Sequence, residues 1–550
     1  MRLPTTLLAA ALLALVPLDT DVSVDVNSGD TISRQRTFRV TVASSDPVTQ
    51  VEFYVGSELR DSDTSVPYEF KLDTVEEADG SLQLTFAAYT TKGDSAKKVV
   101  NVKVDNEVGA GADVHVSKGI EFLQDSKWDD AILEARIAMK ASQSDDRARM
   151  IMARSYLGKG VLDKAQKYAE DWAQSQPDNP DAAELLSGIH LHRAFSTLSR
   201  GTDRNEALKS IQSAFKEAIN TRQRLLESKL QKIGEPSADN VLIYADSAMR
   251  AGRYSMAIKA LDPVYRRQLD RPEITNRLAY AQVRSGRTQD ALNTLKQMEK
   301  LSKLDAYGNA LMAMVQAISN NEDASTKYMT AAVALDSESL GVKTAQAFLA
   351  LRAHKTFLLS QVAAELQRDS GARPEVNYYL AALADALNNY GEGRKYFEAA
   401  VYTEPLNEEA YLEEGNNSLA FAVRGKGTVD EKKFLAASAQ SMFETALEVR
   451  PESYRGLLGL ALTALLGGEK ADGLRYAEAA IKAAPTQASA YYVYAAALAA
   501  NGRNAEATKA NQTSWKFDPK NLEGRSVPNG FEAWSYYYKW DRVPVISAPR

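Results

Sequence analysis

The sequence predicts a multidomain chain: a small all-β sandwich, then a long all-α solenoid of antiparallel helix pairs. Three observations predict it. Between Asp19 and Asn106 apolar residues recur with period 2, and beyond residue 111 they recur with a period of about 3.6. In that second region the pattern also repeats itself roughly every 34 residues. A chain of 550 residues exceeds what one core supports, so several domains or a repeat array are expected on length alone.

Residues 1–18 read as a signal peptide. Arg2 supplies a short positive region, and Leu7 to Leu18 is dominated by Leu and Ala. Such a run is too short to span a bilayer but suits the core of an export signal, although no small-x-small triplet follows it. An uncleaved anchor is the alternative. Cysteine is absent, which removes disulfides, thiolate nucleophiles and Cys-ligated metals, and suits an oxidising compartment. The expected location is secreted, cell-surface or periplasmic. A net charge of −6, with no Lys/Arg run, argues against nucleic acid, which asks for a basic stripe.

Residues 19–106 alternate as strands do. Val22, Val24 and Val26 alternate with polar residues, as do Phe38, Val40 and Val42, then Val51, Phe53 and Val55, Leu82, Leu84 and Phe86, and Val100, Val102 and Val104. About seven short strands in this space, separated by polar turns, predict a sandwich. The stretches Val51-Glu52-Phe53-Tyr54-Val55, Val66-Pro67-Tyr68-Glu69-Phe70, Ala78-Asp79-Gly80-Ser81 and Val102-Lys103-Val104-Asp105-Asn106 resemble bacterial immunoglobulin-like domains of extracellular proteins. The resemblance implies a spacer or adhesive module. Asp19, Asp21 and Asp25, or Asp61 and Asp63, lack the ordered spacing of a calcium loop and read as solvated turn residues.

After a Gly/Ala linker at 107–111, residues 112–519 carry the repeat. A small residue near the start of each second helix falls at Ala131, Ala165, Ala207, Ala257, Ala291, Ala324, near Leu358, then at Gly393, Ala439, Gly473 and Ala507. Five residues before it stand Gly160, Gly252, Gly286, Gly468 and Gly502; twelve after it stand Pro177, Pro405, Pro451, Pro485 and Pro519. Longer steps place insertions near 195–205, 220–236 and 424–434, and repeats six and seven look degenerate. The pattern resembles the tetratricopeptide repeat family. That resemblance implies a right-handed superhelix of about eleven repeats. At ~10 Å per helix layer such an array would extend on the order of 100 Å and offer surface rather than a closed pocket.

The same resemblance places ligands on the concave face built by the first helix of each pair. Carried onto this sequence, it names Arg147, Met150, Arg154, Asp246, Arg250, Asn276, Tyr280, Arg284, Asn309, Tyr378, Asp385, Asn416 and Tyr492. Arg154, Arg250 and Arg284 together would favour an acidic or extended peptide. Residues 520–550 break the register and crowd Phe531, Trp534, Tyr536, Tyr537, Tyr538 and Trp540 into ten positions. They read as a cap over the bare end of the last repeat, or as a contact surface for another molecule.

Chemistry is sparse. The four histidines, His115, His190, His192 and His354, are scattered, and no metal or cofactor site is expected. Gly425-Lys426-Gly427-Thr428 departs from a phosphate loop and reads as a flexible insertion. The expectation is a non-enzymatic exported scaffold that binds other proteins or peptides, copies of itself among the candidates. The alternatives are a subunit that polymerises head to tail into a filament, and carbohydrate or surface adhesion through the sandwich.

Overall fold

A computed structural model describes residues 20–199, 204–301, 304–370, 373–542 and 544–549. The expected signal peptide, and Asp19, lie outside them. Two compact units result, divided between Ser175 and Gln176.

The first unit begins with strands β1 (Asp21–Val24), β2 (Thr31–Ile32), β3 (Gln35–Ala43), β4 (Val48–Val55), β5 (Glu58–Asp63), β6 (Tyr68–Asp73), β7 (Gly80–Thr90) and β8 (Ser95–Val104). They form two sheets, β1-β3-β6 and β2-β8-β7-β4-β5. Alternation works as the period demands, because successive side chains of a strand point to opposite faces. Phe38 and Phe70 from one sheet meet Phe53 and Phe86 from the other, all fully buried, with centroids 5.0 to 6.1 Å apart. Asp25 is occupied by the Arg39 amide at 3.0 Å, and Asp61 and Asp63 sit on the edge strand β5.

Helices α1 (Ala112–Gln124), α2 (Trp128–Ala141), α3 (Asp146–Gly158) and α4 (Leu162–Ser175) complete this unit as two hairpins. The segment 107–111 is a short 3-10 turn held in place. Buried Asn106 accepts from the Arg34 amide and Thr74 Oγ1, both at 2.8 Å, and donates to the Thr74 carbonyl at 3.0 Å. Buried His115 places Nδ1 2.7 Å from the buried Glu134 carboxylate and Nε2 3.0 Å from the Glu107 carbonyl. Glu134 also pairs with Arg34, so one α2 carboxylate ties the sandwich to the first hairpin.

The second unit contains nine more hairpins. They begin with α5 (Pro180–Ser199) and α6 (Arg204–Ile233), α7 (Val241–Arg250) and α8 (Tyr254–Tyr265), and α9 (Pro272–Arg284) and α10 (Thr288–Leu301). Next come α11 (Ala306–Ile318) and α12 (Glu322–Leu335), α13 (Leu340–Arg352) and α14 (Thr356–Ser370), and α15 (Pro374–Ala386) and α16 (Tyr390–Thr403). The last are α17 (Glu408–Arg424) and α18 (Val429–Val449), α19 (Tyr454–Gly467) and α20 (Lys470–Ala483), and α21 (Ala488–Ala500) and α22 (Asn504–Phe517). Two helices follow, α23 (Pro519–Leu522) and α24 (Gly530–Trp540). Among the described residues no helix is long and apolar enough to cross a membrane.

The turn position explains the repeat. Gly160, Gly252, Gly286, Gly468 and Gly502 all take positive φ, between 71° and 87°, where glycine carries no Cβ penalty. Ser126, Asn320, His354 and Asn388 occupy the same position in other hairpins at φ between 54° and 59°. Repeats six and seven are therefore regular. Counting five residues on from Asn320 and His354, the inward residues are buried Ser325 and Leu359, one place later than Ala324 and Leu358. The marker then steps by 34 residues from 257 through 291, 325 and 359 to 393.

Two expectations are corrected. Most of the described extra residues lengthen helices: α5, α6, α17 and α18 run to 20, 30, 17 and 21 residues. Thr428 caps α18 reciprocally with Glu431, so the Gly425–Thr428 stretch is an ordered helix start. Nor is the second unit an open ribbon. Lys216 of α6 pairs with Glu448 of α18 at 2.9 Å, Gln212 bonds Glu444, and Asn320 donates to Asp518 at 3.0 Å. Early hairpins thus meet late ones, and the lengthened helices make the closing contact.

The corrected register predicts unequal costs at adjacent leucines. Leu359→Ala, at a residue 1% exposed, should cost roughly 2–4 kcal/mol, and Leu358→Ala, at 43% exposure, roughly 0.5 kcal/mol or less. Urea unfolding of the two variants checks it; equal costs would restore the original register.

Candidate functional site

The first helices of the second unit face its interior, and that interior is filled by the chain's own C-terminus. Helix α24 starts with a capping box between Asn529 and Glu532 and packs on α19 and α21. Trp534, Tyr536 and Tyr537 are buried, with Trp534 fully so; Phe531 stays half exposed. Arg424 of α17 lies over the Trp534 and Tyr538 rings at 4.8 and 5.2 Å, where the negative ring faces favour a cation. The aromatic cluster thus covers the last hairpin through its first helix, α21, and reaches α19 and α17 as well. Its rings cover first helices from inside.

Beyond α24 the described residues 541–542 and 544–549 run without regular structure along those helices. Asp541 accepts from Tyr454 at 2.9 Å and from Ser489 at 2.5 Å, and pairs with Arg455 at 3.3 Å. Arg542 sits between Glu413, at 2.6 Å, and Asp385, at 3.2 Å, with Tyr538 stacked on its guanidinium. Burial pushes the Glu413 carboxyl above its ordinary range, and the Arg542 charge pulls against that shift. Further on, Tyr379 donates to the Val545 carbonyl, Tyr307 to the Ser547 carbonyl at 2.7 Å, and the Ser547 amide to Thr344 at 3.2 Å. Arg352 donates to the Trp540 carbonyl at 2.7 Å. Six first helices, from α11 to α21, supply these contacts.

This occupant changes the standing of the predicted concave-face residues. Arg284 is buried against Glu409 and donates to the Tyr280 hydroxyl oxygen at 2.7 Å, so it is not available to an acidic peptide. Asn276 is buried and donates to Asp305 at 2.9 Å, while Asn309 donates to the Leu304 carbonyl at 2.9 Å. Tyr378, Asp385 and Asn416 are buried, and Tyr492 is covered by Tyr536 at 5.2 Å between centroids. Asp246 holds Arg277 at 2.8 Å. Arg147 is exposed and paired with Asp113 and Asp145, and Met150 is half-buried in the first unit. Arg154 and Arg250 are exposed.

The sequence reading missed Tyr307, Thr344, Arg352, Tyr379, Glu413 and Tyr454. Each stands on a first helix, so the register alone could have named them; nothing local distinguished them from core tyrosines or surface charges. A cleft of ≈ 500 Å³ opens beside α24, lined by Tyr492, Arg525, Phe531, Glu532, Tyr536 and Trp540 among others. Among the described residues no three His, Asp or Glu side chains are grouped to hold a metal ion.

Glu414, on α17 beside Glu413, is buried with only Ser418, at 3.2 Å, and Asn417, at 3.5 Å, to bond it. Burial pushes its carboxyl up to about 7, against a smaller opposing pull from Arg394. Its folded-state pKa thus exceeds the unfolded value, so its contribution is full below about pH 4.5 and is lost as pH rises through about 7. Stability should fall by about 3 kcal/mol from this group between pH 4.5 and pH 8. Glu414→Gln should flatten that slope and stabilise the fold at pH 8. Urea titrations across this range check it, and an unchanged slope would refute the assignment.

Comparison with known proteins agrees with these two architectures. Residues 24–85 match the bacterial Ig domain family, and residues 245–306 and 436–486 match the tetratricopeptide repeat. No curated protein sequence matches the chain. Among solved structures, the fibronectin(III)-like modules of Clostridium thermocellum CbhA are 32% identical over 15% of this chain and 94% of theirs, with a TM-score of 0.14. Yeast Tom70 is 16% identical, covering 78% of this chain and 95% of its own, with a TM-score of 0.33. Cut9 in the APC/C Cut9–Hcn1 hetero-tetramer is 10% identical, covering 77% and 96%, with a TM-score of 0.41. The chain carries a bacterial immunoglobulin-like domain followed by an array of tetratricopeptide repeats.

Proposed function

We propose that this chain is an exported, non-catalytic scaffold whose second unit binds an extended segment of polypeptide in its interior groove. One observation carries the reading: the groove already holds such a segment, and part of that hold is on its backbone. Tyr379 and Tyr307 donate to main-chain carbonyls of the segment and Thr344 accepts a main-chain amide. Side chains aimed at backbone groups recognise an extended chain of many sequences, and pockets for alternate side chains add selectivity. Repeats of this type serve protein–protein interaction, which fits the same role. The Leu/Ala-rich residues 7–18 and the absence of cysteine support export. The sandwich, tied to the first hairpin through Glu134, would act as a fixed module on that scaffold.

Head-to-tail polymerisation through the aromatic segment is not carried forward, because Trp534, Tyr536 and Tyr537 are buried within their own unit. The test is to end the chain after Trp540 and titrate it with a synthetic peptide of residues 541–550. Fluorescence anisotropy should report one site with a Kd on the order of 10 µM. A truncated chain that keeps its helical circular dichroism yet binds no peptide would sink the reading.

A further inference from the structure

The groove holds its occupant through two charged side chains, Asp541 and Arg542, and a short apolar run. Arg542 is the tail's buried cation, 8% exposed, between Asp385 and Glu413 at 2% and 3%. Val545 and Ile546, 4% and 1% exposed, are its apolar anchors; Tyr454, Ser489 and Arg455 hold the Asp541 carboxylate, and Tyr379, Tyr307 and Thr344 bond backbone atoms. The pairing leaves the site under-neutralised: two buried carboxylates face one guanidinium. Asp385 Oδ1 and Glu413 Oε2 find no hydrogen-bond partner among the described residues, nor does Asn377 Nδ2 on the same first helix as Asp385. Arg542 Nε is also without a partner there, while the Tyr538 hydroxyl bonds Asp385, so a segment whose guanidinium meets these acceptors with better geometry gains over the resident tail.

Both borders of this segment are exposed: Ala548 on one side, and residues 523–526, between α23 and α24, on the other, with Gly524 at φ 79°. Opening from an exposed border breaks a few bonds at a time, as local opening does in low-stability segments.

We propose that residues 541–542 and 544–549 are a displaceable occupant of this groove, competing with a partner's extended segment that carries an arginine a few residues ahead of a Val/Ile pair. Asp385 and Glu413 read that arginine, and the tail keeps the groove closed until such a segment is present. The inference rests on the groove being a peptide site, and its test separates the two. Because the chain has no cysteine, Ser547→Cys places a single thiol at a residue 7% exposed, and Ala548→Cys provides an exposed control.

In the full-length Ser547→Cys chain, modification by a thiol reagent should be at least 10-fold slower than in the control. Added peptide of residues 541–550 should raise that rate saturably, and the peptide carrying Arg542→Ala should need at least 10-fold more for the same effect. If the peptide binds the truncated chain but never speeds modification of the full-length thiol, displacement is overturned and the groove reading stands. If the Arg542→Ala peptide works equally well, the arginine code is overturned. Double substitution Asp385→Asn, Glu413→Gln should abolish the preference between the two peptides, and a preserved preference would also overturn it.

Discussion

Four buried carboxylates on one helix are the constraint around which the second unit is arranged. Helix α17 carries Glu408, Glu409, Glu413 and Glu414, each 3–5% exposed. A buried charge without a partner costs several kcal/mol, so a fold that buries four must bring them counter-groups. It does so from three directions. Arg450, at the end of the neighbouring α18, takes Glu408 at 2.8 Å. Arg284 reaches Glu409 from α9, and Arg542 reaches Glu413 from the C-terminal tail. Glu414 receives only neutral partners and is the member whose carboxyl rises to about 7.

Closure of the array and insertion of the tail then follow from one electrostatic demand. Arg284 can meet Glu409 only if the fifth hairpin of the chain comes against the ninth, and Arg450 adds a 2.6 Å bond to the Arg284 carbonyl at that contact. The lengthened α6 and α18 serve the same closure, with Lys216 against Glu448 and the Phe215 ring edge-on to Tyr411 at 5.5 Å. A closed array has an inner face that no neighbouring hairpin covers. Trp534, Tyr537, Val545 and Ile546 cover it, and Arg542 brings the last missing charge. The aromatic crowding of the tail is thus explained by the interior it fills.

Much of this was legible in the sequence, and the boundary is physical. Strand alternation and helical period follow from local geometry, so the sandwich and the hairpins could be read directly. The turn position was half legible: glycine announces a left-handed residue, but Ser126, Asn320, His354 and Asn388 adopt one with a penalty that neighbouring packing offsets. That is why the register slipped by one place at Ala324 and Leu358. The interior groove was not legible. Glu408-Glu409 and Glu413-Glu414 look like a solvated helix face, and their partners lie far along the chain, 125 residues away for Arg284 and 129 for Arg542. A charge pattern records helical neighbours, not partners brought by tertiary closure.

The same distinction sets what the first-helix residues can do. Arg284, Tyr280 and Asn276 were named from the family's ligand face, yet they are tied to residues of the array itself, and removing any of them would disturb its closure. Tyr307, Thr344 and Tyr379 bond only the backbone of the tail among their partners named above, so their hydrogen bonds are available to any extended chain in its place. Asp385 and Glu413 stand between these classes. They are buried as deeply as the closing residues, but their cation comes from the tail rather than from a helix of the array. A groove whose charge is met only in part, and by its own occupant, is therefore more stable filled than empty, and this makes exchange of one arginine-bearing segment for another easier than simple loss of the first.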